Sequence, residues 1–267
     1  MEPMKVTNIF GVHRVWEDAL LGDDYDGPAI DTVNRTISVT TLIAPVQITI
    51  LQRRFASELT EDVSDAAFKI IGTAVHSLND LARRRNPGNF LVEERFFSSY
   101  MVAGLKWDVT GKVDEYAKEE RTITDFKVTG TYSVMGEPKP EWEAQLNVLA
   151  DIMEKAGHPV RKVQIAAFLR DWMVSKASTP RYPRHPLPTL SYPLWTSGRR
   201  QEYIIERLSA IAPHWLPAIE PPPLPECTEE EMWSGRRCAG YCPVVNFCEQ
   251  GQAAKKRLQK NGKQLLA

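Results

Sequence analysis

Apolar residues recur with two different periods along this chain, and the order of those periods leaves few folds open. Residues 65–85 repeat at helical spacing, with Phe68, Ile71, Val75, Leu78 and Ala82 on one face. Asn86-Pro87-Gly88 is the expected stop. Three strand-like runs follow at 90–100, 107–116 and 121–129. Residues 141–155 return to helical period, with Trp142, Leu146, Leu149 and Met153 on one stripe. Gly157-His158-Pro159 stops that helix, and 163–169 reads as a buried strand. Helix, three strands, helix, strand describes an α/β sandwich core. Upstream, residues 38–59 suit one or two helices interrupted at Pro45.

At 267 residues and 43% hydrophobic, the chain can bury a sizeable core, so a mostly disordered protein is excluded. It holds no apolar run of about 18 residues, so no membrane-spanning helix is expected. The N-terminus lacks a basic-then-apolar leader, which points to the cytoplasm. A net charge of -1 excludes a polybasic coat but leaves room for a locally basic cleft.

Four segments are expected. Residues 1–37 form an acidic, turn-rich periphery carrying Glu2, Glu17, Asp18, Asp23, Asp24, Asp26 and Asp31. Residues 38–180 form the core. Residues 181–226 form an irregular strap around one helix near 199–211, since eleven of the 19 prolines fall between Pro180 and Pro225. Residues 227–267 hold all four cysteines, then a short basic helix with Lys255, Lys256, Arg257, Lys260 and Lys263.

The chemistry concentrates in the middle strands. In Ile123-Thr124-Asp125-Phe126-Lys127, a period of two sets Asp125 and Lys127 on one face. Two ionisable groups on an apolar strand are costly without a task or partner. A hairpin turning at Glu119-Glu120 would set Asp114 opposite Asp125. Like charges directly opposite destabilise a sheet, and a divalent cation between them is one remedy; a plain Asp125–Lys127 ion pair is the other reading. In the helix at 65–85, Gly72 and His76 stack four apart. Glycine costs about 1 kcal/mol in a helix interior, so close approach of another element is expected at Gly72. His76 is then either a neutral ligand or a core histidine. Gln145, on the apolar side of its helix, needs a polar partner. Glu93 and Glu94 are expected to face solvent, with support of a metal as the alternative.

Gly72-x-x-x-His76, Gly111-x-x-Asp114, Asp125-x-Lys127 and Gln145 stand in an order and context that resembles the PD-(D/E)XK nuclease superfamily. More closely they resemble the RecB-like exonuclease branch and its phage-encoded members, across roughly residues 38–175. Val39-Thr40-Thr41-Leu42-Ile43, Asp62-Val63-Ser64-Asp65 and Leu169-Arg170-Asp171-Trp172 are also similar to the phage members. One position departs: the branch carries a tyrosine four residues after the glutamine, where this chain has Leu149. The resemblance implies a restriction-endonuclease-like core, a mixed central sheet flanked by helices. It implies a DNA exonuclease of a prokaryotic or phage-infected cell, acting in recombination, repair or phage DNA processing. Asp114, Asp125, the Phe126 carbonyl and His76 would then hold Mg²⁺ or Mn²⁺, with Lys127 and Gln145 completing the catalytic set. A nuclease-like protein that binds nucleic acid or acts as a scaffold without cutting is the alternative.

Cys227-x10-Cys238-x3-Cys242-x5-Cys248 places four soft ligands in a short Gly- and Pro-containing segment. In a cytoplasmic chain this pattern favours a metal site over disulfides, and four thiolates suit either Zn²⁺ or an iron–sulfur cluster. The segment resembles the C-terminal cysteines of iron–sulfur RecB-like nucleases, including the AddB type and CRISPR-associated exonucleases, which implies [4Fe–4S] with Zn²⁺ as the alternative. DNA contacts are expected from Arg83, Arg84, Arg85, Arg199, Arg200, Arg236, Arg237 and the tail lysines. Trp172, Tyr182, Tyr192 and Trp195 are available either for base stacking or for packing on the prolines.

Overall fold

A computed structural model of the chain describes residues 5–21, 35–84, 88–215 and 222–265. The strands are β1 Lys5–Thr7, β2 Thr36–Ser38, β3 Thr60–Asp62, β4 Phe90–Val102, β5 Leu105–Ala117, β6 Thr122–Thr129, β7 Lys162–Leu169 and β8 Thr189–Tyr192. The helices are α1 Arg14–Leu21, α2 Val39–Ile43, α3 Val46–Arg54, α4 Ala67–Arg83, α5 Tyr132–Met135, α6 Pro140–Lys155, α7 Ser197–Trp215, α8 Arg236–Gly240 and α9 Glu249–Leu265. Glu2, Asp23, Asp24, Asp26, Asp31, Arg85, Asn86, Pro87 and the Lys263 side chain lie outside the described residues.

The architecture is mixed α/β, a six-stranded sheet flanked by helices. Its spine is β5. One edge of β5 pairs antiparallel with β4 along its length; the other edge is shared by β2, parallel at 108–110, and β6, antiparallel at 115–117. Among the described residues no strand pairs with 111–114 on that edge, so the sheet splits there. From β6 the sheet continues through parallel β7 to antiparallel β8.

Two helices pack closely onto β5 where the split begins. A Cβ on Gly111 would lie 2.4 Å from Leu149 Cδ2 and 2.9 Å from Val39 Cγ2. Only glycine lets α6 and α2 sit this close to the strand. Above it, α6 buries Leu146, Val148, Ala150, Ile152 and Met153 in the main core with Val109, Val113, Ile123 and Ile165. Pro140 occupies the first turn of α6, where its missing N–H costs nothing.

Pro45 does separate α2 from α3, and the three middle strands, α6 and β7 fall close to the ranges read from periodicity. Elsewhere the expectations need correction. The N-terminal stretch contains β1, which pairs with β3, and α1. A boundary at 37–38 cuts β2, a strand of the main sheet. The proline-rich strap contributes β8 to that sheet, and its helix α7 runs longer, with Pro213 in its last turn. The terminal helix α9 is 17 residues, not short.

The largest correction concerns α4. Its apolar residues face outward: Phe68 is 53% exposed, Leu78 63% and Leu81 62%. Three polar contacts orient the helix instead. Arg83 makes a two-pronged ion pair with buried Glu115 on β5, at 2.5 and 3.1 Å; Asn79 Nδ2 donates to the Asp114 carbonyl at 3.1 Å; and His76 meets Glu93. Among the described residues, no helix is long and apolar enough to cross a membrane.

Candidate metal centre and cysteine cradle

The split edge of β5 opens into a cleft of about 1090 Å³ whose lining includes His76, Glu93, Asp114, Asp125, Lys127 and Gln145. The β5–β6 ladder runs Ala117 with Thr122, Tyr116 with Ile123 and Glu115 with Thr124, so its next step sets Asp114 opposite Asp125. The connecting loop is 118–121, and Arg121 at φ 53° absorbs the reversal where Glu-Glu alone could not. On the other side of β5, the pairs Val92 with Glu115 and Glu94 with Val113 bracket Glu93 opposite Asp114. Three carboxylates therefore stand abreast on three adjacent strands.

Asp114 Oδ2 accepts the Phe126 N–H at 2.8 Å. The Phe126 N–H thus joins the residue whose carbonyl is the expected ligand to Asp114. His76 Nδ1 lies 2.9 Å from Glu93 Oε1 and 3.5 Å from Asp114 Oδ1. Ligand atoms of His76, Glu93 and Asp114 all fall within 4.8 Å of one another, the only such His/Cys/Asp/Glu group among the described residues. Asp125, 3% exposed, stands beside this group rather than in it: Oδ1 accepts from Gln145 Nε2 at 2.8 Å and Oδ2 lies 2.8 Å from Lys127 Nζ.

Glu93 is the member that sequence reading placed at the surface. Period-two alternation carried the signal, because two adjacent glutamates in a strand cannot both face solvent. Glu94 is exposed and Glu93 turns inward, at φ 55°, a strained conformation for a non-glycine residue. Gly72 also differs from expectation. Nothing approaches where its Cβ would be; it lines the cleft, and its missing side chain widens the approach to His76.

The electrostatics follow from crowding. Burial, then the Asp125 charge, pushes the Asp114 carboxyl up to about 7. The hydrogen bond to Glu93 raises His76 above the ordinary imidazole range despite burial, with help from the Asp114 charge. Burial alone would raise Glu93, but His76 and Lys112, whose Nζ lies 2.6 Å away, outweigh it and hold the carboxylate ionised. Both shifts favour proton binding at His76 and Asp114, and a divalent cation at the same atoms would compete with those protons. Imidazole with two or three carboxylates suits Mg²⁺ or Mn²⁺.

The four cysteines line one small closed cavity beneath α3. Gly251 N–H donates to Cys248 Sγ at 3.2 Å, Cys227 Sγ approaches Gln47 Oε1 at 3.3 Å, and Cys248 packs with Ile48, Leu51, Leu59 and Val244. The cradle therefore ties the C-terminal segment to the start of the core. Burial raises the thiols of Cys227, to about 12, and of Cys238 and Cys242, which is unlike a reactive cysteine.

The basic and aromatic residues expected at DNA are largely engaged within the chain. Arg200 is 3% exposed and pairs with Glu154; Arg84 pairs with Asp80; Arg199, Arg236 and Arg237 lie over Trp195, Tyr132 and Trp233. Trp172 donates to the Pro183 carbonyl, Trp195 donates to Glu143, Tyr182 accepts from Met173 N–H and Tyr192 is buried. The packing alternative describes these four aromatics.

No family model and no curated protein matches this chain. Among solved structures, the crystal structure of SSO0001 matches 81% of this chain and 87% of its own, with a TM-score of 0.53 and 14% identity. That likeness extends to the fold alone.

Proposed function

We propose that this protein is a metal-dependent deoxyribonuclease of the PD-(D/E)XK type, acting as an exonuclease. The observation that carries the reading is the abreast placement of Glu93, Asp114 and Asp125, with His76 against the first two and Lys127 against the third. Asp114, His76, Glu93 and Asp125 would hold Mg²⁺ or Mn²⁺. When bound, such an ion polarises a scissile phosphate and lowers the pKa of a water. Lys127 sits where it can orient the attacking water and offset charge gathering on the phosphate oxygens. Gln145 fixes the Asp125 carboxylate, so its tie is to the acid rather than to substrate. Leu149, standing where the resembling branch has tyrosine, fills the space over Gly111.

The four cysteines around one cavity would hold a [4Fe–4S] cluster, with Zn²⁺ as the alternative, in a structural role that closes the C-terminal segment onto α3.

The test is a time course on end-labelled linear and closed circular DNA, with Mg²⁺, with Mn²⁺ and with EDTA. The expected result is metal-dependent loss of linear DNA, abolished in Asp125→Ala and in Lys127→Ala, with closed circles intact. Cutting of circles replaces exonuclease by endonuclease. Binding without cutting in any metal favours the scaffold alternative.

A further inference from the structure

Beside the acid–histidine group the same cleft carries a basic pair, Arg95 and Lys112, of which Lys112 alone touches the metal site. Arg95 and Lys112 are direct partners in the antiparallel β4–β5 register, so their side chains share a face. Like charges directly opposite destabilise a sheet unless something neutralises them. Lys112 is neutralised by Glu93. Arg95 has no carboxylate partner among the described residues. Its Nη1 reaches the Thr110 hydroxyl only at 3.5 Å, and its Nη2, shielded from solvent, has no hydrogen-bond partner among them. Arg95 lines the cleft with donor capacity to spare, and the planar fork of a guanidinium matches the geometry of a phosphate.

Resting on the nuclease reading, we propose that Arg95, with Lys112 beside it, forms a phosphate subsite that holds the DNA phosphate next to the one being cleaved. The spacing suits this. Arg95 lies two residues along β4 from Glu93, about 7 Å at the rise of a strand and close to one nucleotide step of an extended single strand. Phe97, two residues farther along the same face and 57% exposed, offers its ring to the base beyond. The bound group is a phosphate in either setting, an internal phosphodiester or a terminal phosphomonoester.

Steady-state cleavage by the full chain tests this. Arg95→Gln should raise KM about tenfold while leaving kcat within about twofold, because the contact is made equally in ground and transition states. Arg95→Lys should fall between. On the wild-type protein, a neutral methylphosphonate placed next to the scissile phosphate should cause the same loss, and Arg95→Gln should lose nothing further from it. The wild-type half of that comparison needs no variant to fold. Comparing 5′-phosphate, 5′-hydroxyl and 3′-phosphate ends separates a terminal from an internal group. If KM is unchanged, or the neutral linkage costs the variant as much as the wild type, the subsite is overturned. If the wild type cuts no DNA at all, the nuclease reading fails first; anisotropy of the same labelled oligonucleotides then reads the subsite directly, and equal binding by wild type and Arg95→Gln overturns it.

Discussion

The Phe126 N–H donates to Asp114 Oδ2 at 2.8 Å, one residue past the last β5–β6 ladder pair. The side chain of one strand thus takes the place of the main-chain bond that the split sheet lacks. This pins Asp114 opposite Asp125 without closing the cleft. Asp114→Asn keeps an acceptor for that N–H if its amide oxygen takes the Oδ2 position, and it removes one of two crowded buried charges. The fold should survive, with a melting temperature within a few degrees of wild type, while DNA cleavage falls at least about a hundredfold. Calorimetric melting beside a cleavage assay checks both. Unfolding of the variant would mean that the carboxylate is structural.

Gly111→Ala should be among the most damaging small substitutions. The added methyl meets Leu149 and Val39 in a packed core, at a cost of about 1–3 kcal/mol, measurable by urea unfolding. Leu149→Ala introduced with it should recover part of that loss, since the two residues contact and their effects do not add. A purely additive pair of costs would show that the Gly111–Leu149 approach does not set the position of α6.

Much of this was legible in residue order. The β5–β6 register followed from Asp114, Asp125 and the turn between them, and Pro45 marked the break between α2 and α3. What hydrophobic pattern could not disclose was which face of α4 points inward. Phe68, Ile71 and Leu78 read as a core stripe, but Arg83, Asn79 and His76 find partners on β4 and β5 that lie far away in sequence, and those contacts orient the helix. Glu93 escaped for the same reason: its meaning depends on Asp114 being its cross-strand neighbour. The β8 strand lay hidden among prolines, which occupy an edge strand's flanks without blocking its pairing.

His76 and Glu93 should prove separable from the core by metal titration. His76→Ala removes one ligand and should weaken Mn²⁺ affinity about tenfold or more, with cleavage partly restored at high Mn²⁺. Glu93→Gln should weaken it as well, because it removes a carboxylate and frees Lys112. Isothermal titration of each variant with Mn²⁺ reads this without any cleavage. A normal titration with a lowered melting temperature would make His76 a packing residue.

The cysteine cradle makes a visible prediction. Protein purified without oxygen should be brown, absorb near ~400 nm and carry about four irons per chain, because zinc is colourless. Cys238→Ser should bleach it and lower the melting temperature while leaving residual cleavage, since the cradle ties residues 227–251 to α3 and stands apart from the acid group. Colourless protein with one zinc per chain would replace the cluster.

The N-terminal unit should respond to acid separately from the rest. Asp62 accepts from the Ile9 N–H at 2.9 Å, from Ser64 and from Thr7, and it ties β3 to the residues after β1. The Ile9 N–H bond, then those from Ser64 and Thr7, outweighs burial and brings its carboxyl down to about 2. A depressed folded pKa means the unfolded chain binds the proton first, so the stabilisation is complete above the unfolded value of about 3.9 and fades as pH falls toward 2. Amide exchange in residues 5–9 and 60–64 should therefore accelerate between about pH 4 and pH 2, beyond what the rest of the chain shows. Asp62→Asn should exchange faster at neutral pH and lose the extra acid dependence. If residues 5–9 exchange in acid at the same relative rate in both proteins, the Asp62 carboxylate is not what holds β1 to β3.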